Sequence, residues 1–144
     1  MISRKGNNTV PPYISPREFK FFLATLKAGV PDYFTEDMLK WCGITSGNTA
    51  PLFSAMRWLR LVTIIDHVYV PYPNKDLLVH LSTPNQQSTT FLELLRTIPP
   101  YPELLQLKRP KLDEVTAEFA KRGVSNGADN KCARFFFYMA QEAK

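Results

Sequence analysis

Cysteine and histidine are scarce in this chain, which contains two of each among 144 residues. The two thiols, Cys42 and Cys132, are too few for a disulfide framework, so a reducing cytoplasm is the expected compartment. Cys132 falls on an apolar helical stripe, where we expect it to be a small buried hydrophobic residue. Neither His67 nor His80 has a cysteine or carboxylate at ligand spacing, which argues against a zinc site.

Long hydrophobic runs are also missing from the sequence. No segment reaches the length of a transmembrane helix, so we expect no membrane partner. Residues 1–10 are polar and include Arg4 and Lys5, which does not fit a signal peptide. We expect these ten residues to form a flexible basic arm.

The sequence also lacks the motifs that are typical of enzymes. The sequence contains no nucleophile motif, no phosphate-binding glycine loop and no dinucleotide fingerprint. We therefore expect a protein that is not an enzyme and that has no cofactor. An enzyme with a dispersed site is the alternative that we rank last.

Apolar residues are plentiful, at 44% of the chain with 12% aromatics, which is enough for a packed interior. The net charge of +5 is unevenly distributed. Residues 1–60 hold 8 Lys/Arg against 4 Asp/Glu, residues 61–107 hold 2 against 4, and residues 108–144 hold 8 against 5. Both ends of the chain are therefore basic, which suits contact with phosphates, although an ordinary solvated surface has the same composition.

Two short segments of the chain resemble each other at an offset of 80 residues (123 − 43). Each is a turn bounded by glycines, Gly43–Gly47 and Gly123–Gly127, and each precedes an apolar stripe with the spacing of one helix face. The stripes match residue for residue at the same offset: Leu52, Ala55, Met56 and Leu59 in the first, and Cys132, Phe135, Phe136 and Met139 in the second. This pattern predicts two helix-turn-helix units.

The rest of the pattern predicts a mainly α fold: a winged helix-turn-helix with a short β-hairpin, followed by a second unit like a helix-turn-helix. The winged-helix unit covers residues 11–73, a helical connector covers 74–107, and the second unit covers 108–144 and packs on the first. The hairpin comes from the β-branched run Val62–Val70, with a turn at Asp66-His67.

Helix boundaries follow from capping residues and prolines. Ser15 and Thr35 are expected N-caps, with a capping box from Glu18. The third helix is expected over about residues 48–60, because Pro51 is tolerated only in a first turn. We expect residues 85–88 to form a polar loop and Asp113 to cap the helix that ends at Lys121.

The candidate nucleic-acid contacts lie around the turns and on the helices that follow them, since such helices enter the major groove. They are polar and expected to be exposed: Thr45, Ser46, Asn48, Thr49, Ser54 and Arg57 in the first unit, and Ser125, Asn126, Asn130, Lys131 and Arg134 in the second. Asn and Arg can read bases, while Ser, Thr and Lys suit phosphates. Because the outward positions differ between the units, we expect at most one of them to read DNA.

Protein interaction is a close alternative to double-stranded DNA as the partner. Small polar residues are common at any helix start, Asp129 would repel phosphate, and the hairpin contains no Lys or Arg. Phe137 and Tyr138 make the last helix apolar almost all round, so it is either a central core helix or part of a homodimer or adaptor surface.

The chain also resembles an uncharacterised prokaryotic family, a domain of unknown function, over about residues 11–143. The matching motifs occur in the family's order: Pro11–Ser15, Gly29–Pro31, Leu52–Val62, Tyr101–Leu104 and Phe135-Phe136. Members of the family usually have glycine after the position of Leu59 and near the hairpin turn, where this chain has Arg60 and Asp66–Val68. The resemblance implies a prokaryotic, plasmid or phage setting and supplies no activity and no catalytic residues. The function that we expect from the residues is non-enzymatic DNA binding, in a regulatory role or in a defence or mobile-element system.

Overall fold

The computed structural model describes residues 10–144. Residues 1–9, which contain nearly all of the predicted basic arm, lie outside the described residues. Helix α1 (Pro16–Thr25) continues into a short 3₁₀ helix (Leu26–Ala28) that ends at Gly29. Ser15 is the N-cap residue as predicted, but its side chain makes no capping hydrogen bond and Glu18 completes no capping box.

Helices α2 (Glu36–Trp41) and α3 (Ser46–Trp58) form the first helical pair. Thr35 caps α2 as predicted, because its hydroxyl accepts a hydrogen bond from the Met38 amide at 3.2 Å. The chain then turns through Gly43 with φ 106°, and the amides of Gly43 and Ile44 donate to the carbonyls of Lys40 and Leu39. These two bonds are a Schellman cap, which requires the left-handed conformation at Gly43.

The predicted start of α3 was wrong by two residues. The helix begins at Ser46, so Gly47 lies in its first turn and Pro51 in its second. Thr45 is extended and is the N-cap residue, although its side chain makes no capping hydrogen bond. Because proline has no amide hydrogen, the carbonyl of Gly47 has no donor four residues later.

Strands β1 (Val62–Ile65) and β2 (Val68–Pro71) form the predicted antiparallel hairpin, and Asp66 and His67 are its two turn residues. Phe34 adds a one-residue bridge to the outer side of β2, with Phe34 and Tyr69 exchanging both backbone hydrogen bonds. This bridge was not predicted. It ties the segment between α1 and α2 to the hairpin.

Three helices connect the hairpin to the second basic segment: α4 (Asp76–Leu81), α5 (Pro84–Thr97) and α6 (Tyr101–Leu105). The predicted polar loop at residues 85–88 was wrong, because these residues form the first turns of α5. Thr83 is its N-cap, and the Gln87 side chain donates to the Leu81 carbonyl at 2.7 Å. Polar side chains that hydrogen-bond to free backbone groups at helix ends are the same residue types that are common in loops, so composition does not distinguish the two.

Helices α7 (Leu112–Lys121) and α8 (Ala128–Glu142) form the second helical pair. The N-cap of α7 is Lys111 rather than the predicted Asp113, because Glu114 reaches back to accept from the Lys111 amide at 3.0 Å. The amides of Gly123 and Val124 donate to the carbonyls of Ala120 and Phe119, at 3.0 and 3.1 Å. The same two hydrogen bonds occur 80 residues earlier, at Gly43 and Ile44. Both turns therefore begin with a Schellman cap.

The two turns then diverge. Gly127 has φ 96°, and α8 starts two residues later than the offset from Ser46 would place it. The helical register is nevertheless kept, because all eight matched residues of the two apolar stripes are buried as predicted.

Helix α8 lies at the centre of one hydrophobic core. Phe135 packs edge-on against Phe19 of α1 at 5.1 Å, and Tyr138 packs against Phe19 and Phe91 of α5. Phe137 and Tyr138 are half-buried and pack on the core. Of the two expectations for α8, the central core helix is the one observed.

Across residues 10–144, no helix combines the length and the apolarity that crossing a bilayer would require.

Candidate nucleic-acid interface

The first turns of α3 and α8 open onto one surface cleft of about 450 Å³. Residues from the helices that follow the two turns therefore share a site, although they are about 80 positions apart in sequence. The chain that leads into α1 forms a third wall. The lining residues are Tyr13, Ile14, Ser15, Pro16, Gly47, Asn48, Pro51, Asn130, Lys131 and Arg134.

The α8 side of the cleft supplies its cations. Lys131 and Arg134 are exposed, and neither forms a salt bridge with any residue in 10–144. The Arg134 Nε donates to the Asn130 side-chain oxygen at 2.9 Å, one turn earlier on the same helix face. This bond orients the guanidinium and leaves its other N–H groups available for an anionic ligand.

The α3 side of the cleft supplies amide groups and an acceptor. The Asn48 side-chain nitrogen donates to the Thr45 hydroxyl at 2.8 Å, which fixes the amide at the start of the helix. The Gly47 carbonyl lacks its helical donor because of Pro51, and both residues line the cleft. The site thus combines donors with one backbone acceptor.

The two helices also contribute electrostatically, since residues from the first turns of both line this cleft. Helix N-termini carry partial positive charge and attract anions. Asp129 was expected to repel phosphate, and this stays a prediction. One oxygen of its carboxylate accepts from the amides of Gly127 and Asn130, at 3.1 and 2.7 Å, at the start of α8.

Four of the predicted contacts therefore line the cleft: Asn48, Asn130, Lys131 and Arg134. Thr45 and Ser46 are exposed at the start of α3, and Ser125 and Asn126 are exposed in the second turn. Ser54 and Arg57 are half-buried farther along α3 and do not line the cleft.

The prediction that Thr49 is exposed was wrong. The residue is only 3% exposed, and its hydroxyl donates to the Ser46 carbonyl at 3.1 Å and lies 3.2 Å from a Glu36 oxygen. It lies three residues before Leu52 on the buried face of α3, and its contact with Glu36 joins the two helices of the first pair. Thr49 is structural and cannot reach a ligand.

Sequence reasoning missed the wall formed by residues 13–16. Ser15 was identified only as a helix cap, and no local pattern shows that the chain before α1 passes between the two helical pairs. The Cys132 thiol of α8 donates to the Pro11 carbonyl at 3.4 Å. This hydrogen bond joins the segment before α1 to α8, across 121 positions in sequence.

A second cleft of about 420 Å³ is lined in part by residues at the C-terminal ends of α3 and α7. Its rim carries Arg60 and Arg122, while Trp58 and Phe119 are among its apolar walls. Arg122 is held by Glu118, whose carboxylate it contacts at 2.8 Å. The pKa of Glu118 is lowered by its hydrogen bonds to Arg122 and Lys121. Helix C-termini face this cleft, which makes it less suited to anions than the first.

No group of three or more His, Cys, Asp or Glu side chains that could hold a metal ion occurs within residues 10–144.

Comparisons with family models, with curated proteins and with solved structures gave no match to this chain. The resemblance to a prokaryotic domain family stays a prediction.

Proposed function

We propose that this protein binds double-stranded DNA without catalysing a reaction, and that its first part is a winged helix. The order of elements supports the fold: α1, a one-residue strand at Phe34, α2, α3 and then the hairpin. In this arrangement α3 is the helix that would approach the major groove. A regulatory or defence role in a prokaryotic cytoplasm is part of the same proposal.

The shared cleft is the observation that carries the DNA proposal. It brings together the first turns of two helices, two cations without salt bridges in residues 10–144, and two asparagine side chains. Phosphates would be held by Lys131 and by the helix N-termini, and Arg134 and the asparagines could meet base edges. The two units would then act as one contact surface rather than as separate reading heads.

Removing the two cations of the cleft tests this proposal. We expect Lys131→Ala/Arg134→Ala to weaken duplex binding and to lower the slope of log K against log salt by about 1, because loss of the Lys131 phosphate contact removes roughly 0.9. Fluorescence anisotropy with mixed-sequence duplex DNA at several salt concentrations measures both. The melting temperature should barely change, because both side chains are exposed.

A matched control is Arg96→Ala/Lys108→Ala, which removes the same charge from exposed positions outside the cleft. If the control weakens binding as much as the cleft variant, the interaction is a general charge effect. If wild-type protein does not bind duplex at low salt, or binds with no salt dependence, the DNA proposal is wrong.

Protein docking is the second candidate, and the hairpin region favours it. Four large apolar residues are exposed around it: Tyr33 at 48%, Ile64 at 41%, Ile65 at 49% and Tyr72 at 59%. Strand β1 pairs only with β2 among residues 10–144, so its outer edge can pair with another chain. A dimer by sedimentation that Ile65→Lys converts to monomer would support this candidate, and a wild-type monomer would remove it.

A further inference from the structure

Trp41 is the most exposed large apolar side chain among residues 10–144, at 92%, whereas Trp58 is 8% exposed. It is the last residue of α2. The same position of the second helical pair, 80 residues later, holds Lys121, which pairs with Glu118 at 3.2 Å. Because the equivalent helix of the second pair ends in a lysine, this position in the fold does not require a tryptophan side chain.

A second exposed aromatic ring lies beside the same turn. Phe21 of α1 is 44% exposed, and its ring atoms lie 3.0 and 3.1 Å from where a Cβ on Gly43 would stand. Gly43 follows Trp41 by two residues, so the two exposed rings flank one turn. An aromatic ring therefore lies against the turn of the first pair. In the second pair, nothing lies within 4 Å of the same point at Gly123.

Cations border these rings. Arg17 precedes Phe21 by four residues on the exposed face of α1, the spacing that places the two side chains next to each other. Lys20 is exposed at the position before Phe21 and lies three residues after Arg17. Neither makes a salt bridge with another residue of the described chain. On α2, Lys40 pairs with Glu36 at 3.6 Å, and Asp37 stands one turn before Trp41.

Exposed flat rings beside cations have the chemistry that holds unpaired nucleotides. A base offers a free face for stacking only when it is unpaired or at an end, and the cations then meet the backbone phosphates. A buried apolar partner would not need the cations, and a duplex would not need the rings.

We propose that Trp41 and Phe21 form a stacking platform for unpaired bases of single-stranded nucleic acid, with Arg17 and Lys20 contacting its phosphates. This site goes beyond the duplex-binding cleft and does not depend on it. A protein with both sites would bind where duplex and single strand meet.

Tryptophan fluorescence reports on the platform directly, because Trp41 is exposed and Trp58 is buried. Titration of the full chain with a short oligothymidylate should quench the exposed indole to saturation. The Trp41 variants lack the reporting indole, so their affinities are measured by fluorescence anisotropy of a labelled oligothymidylate. Trp41→Ala should weaken binding by about tenfold or more, which corresponds to the loss of one stacked base. Trp41→Phe should retain part of the affinity, and Asp37→Asn should increase it.

The decisive control is Trp41→Lys, which places at this position the residue found in the second pair. If charge alone binds the strand, this variant binds at least as tightly as wild type, and the platform is wrong. If the ring is required, it binds about as weakly as Trp41→Ala. Equal melting temperatures for all three variants would exclude a folding effect.

Two further outcomes separate this proposal from the others. Trp41→Ala should leave duplex affinity unchanged, and Lys131→Ala/Arg134→Ala should leave the quenching by oligothymidylate intact. If Trp41 fluorescence instead changes with protein concentration in the absence of nucleic acid, the ring contacts a second copy of the chain, and the platform assignment is overturned.

Discussion

Two single residues of this chain adopt a backbone conformation that favours glycine. Arg60 has φ 64° and His67 has φ 69°, both in the left-handed region that glycine adopts without cost. These are the two neighbourhoods where the resemblance leads one to expect glycine. Arg60 follows the C-cap of α3, and the Leu61 amide donates to the Met56 carbonyl at 2.8 Å in a Schellman cap.

Replacing Arg60 by glycine should therefore stabilise the protein. The relief of left-handed strain, about 1–2 kcal/mol, exceeds the extra chain entropy of glycine, about 0.5–1 kcal/mol. We expect Arg60→Gly to raise the free energy of unfolding by up to about 1 kcal/mol in urea denaturation. Arg60→Asn, which tolerates the same φ, should give a smaller gain. A loss in both variants would show that the guanidinium itself contributes to stability.

Among the elements, the two turns show which parts of the fold could be predicted from the sequence. The apolar stripes and the Gly43 and Gly123 caps repeat over short distances, so the helical pairs could be predicted from them. The bridge at Phe34 and the cleft wall at Ser15 depend on contacts between segments far apart in sequence, and no local pattern indicates those contacts. The burial of Thr49 was missed although Thr49 lies three residues before Leu52 on the apolar face of α3, because small polar residues are also common at exposed helix starts.

The equivalent glycines of the turns should respond differently to alanine. Both have left-handed φ, 106° at Gly43 and 90° at Gly123, so each substitution should cost at least about 1 kcal/mol. A Cβ at Gly43 would also meet the Phe21 ring at 3.0 Å, whereas Gly123 has open space. We expect Gly43→Ala to lower the free energy of unfolding more than Gly123→Ala does.

A Phe21→Ala background isolates that difference. Without the ring, Gly43→Ala should cost about as much as Gly123→Ala, and the coupling between positions 21 and 43 should vanish from the double-mutant cycle. An unchanged excess cost at Gly43 would mean that the Phe21 ring does not lie against the turn.

At the scale of the whole molecule, the core that joins the two helical pairs contains three weak acids. Burial raises the pKa of Tyr101 well above its usual value and the pKa of the Cys132 thiol to about 12. Burial also raises the pKa of Tyr138. The Tyr101 and Tyr138 hydroxyls have no hydrogen-bond partner among the described residues. The core therefore holds all three groups in their neutral forms.

This arrangement predicts that the protein loses stability in alkali. The Cys132 thiol ionises near its ordinary value of 9.0 when unfolded and at about 12 when folded. Its contribution is complete below pH 9.0 and declines as pH rises toward about 12, because the unfolded state releases the proton first. Each such group lowers the free energy of unfolding by about 1.4 kcal/mol per pH unit, and the tyrosines add to the effect above their ordinary pKa of 10.0.

Urea unfolding across this pH range should show the decline. Cys132→Ala should make the slope of the unfolding free energy against pH shallower, by the amount that corresponds to about one proton. Cys42→Ala, at an exposed position, should leave this slope unchanged. Equal slopes in the two variants would show that the Cys132 thiol is not held neutral by the core.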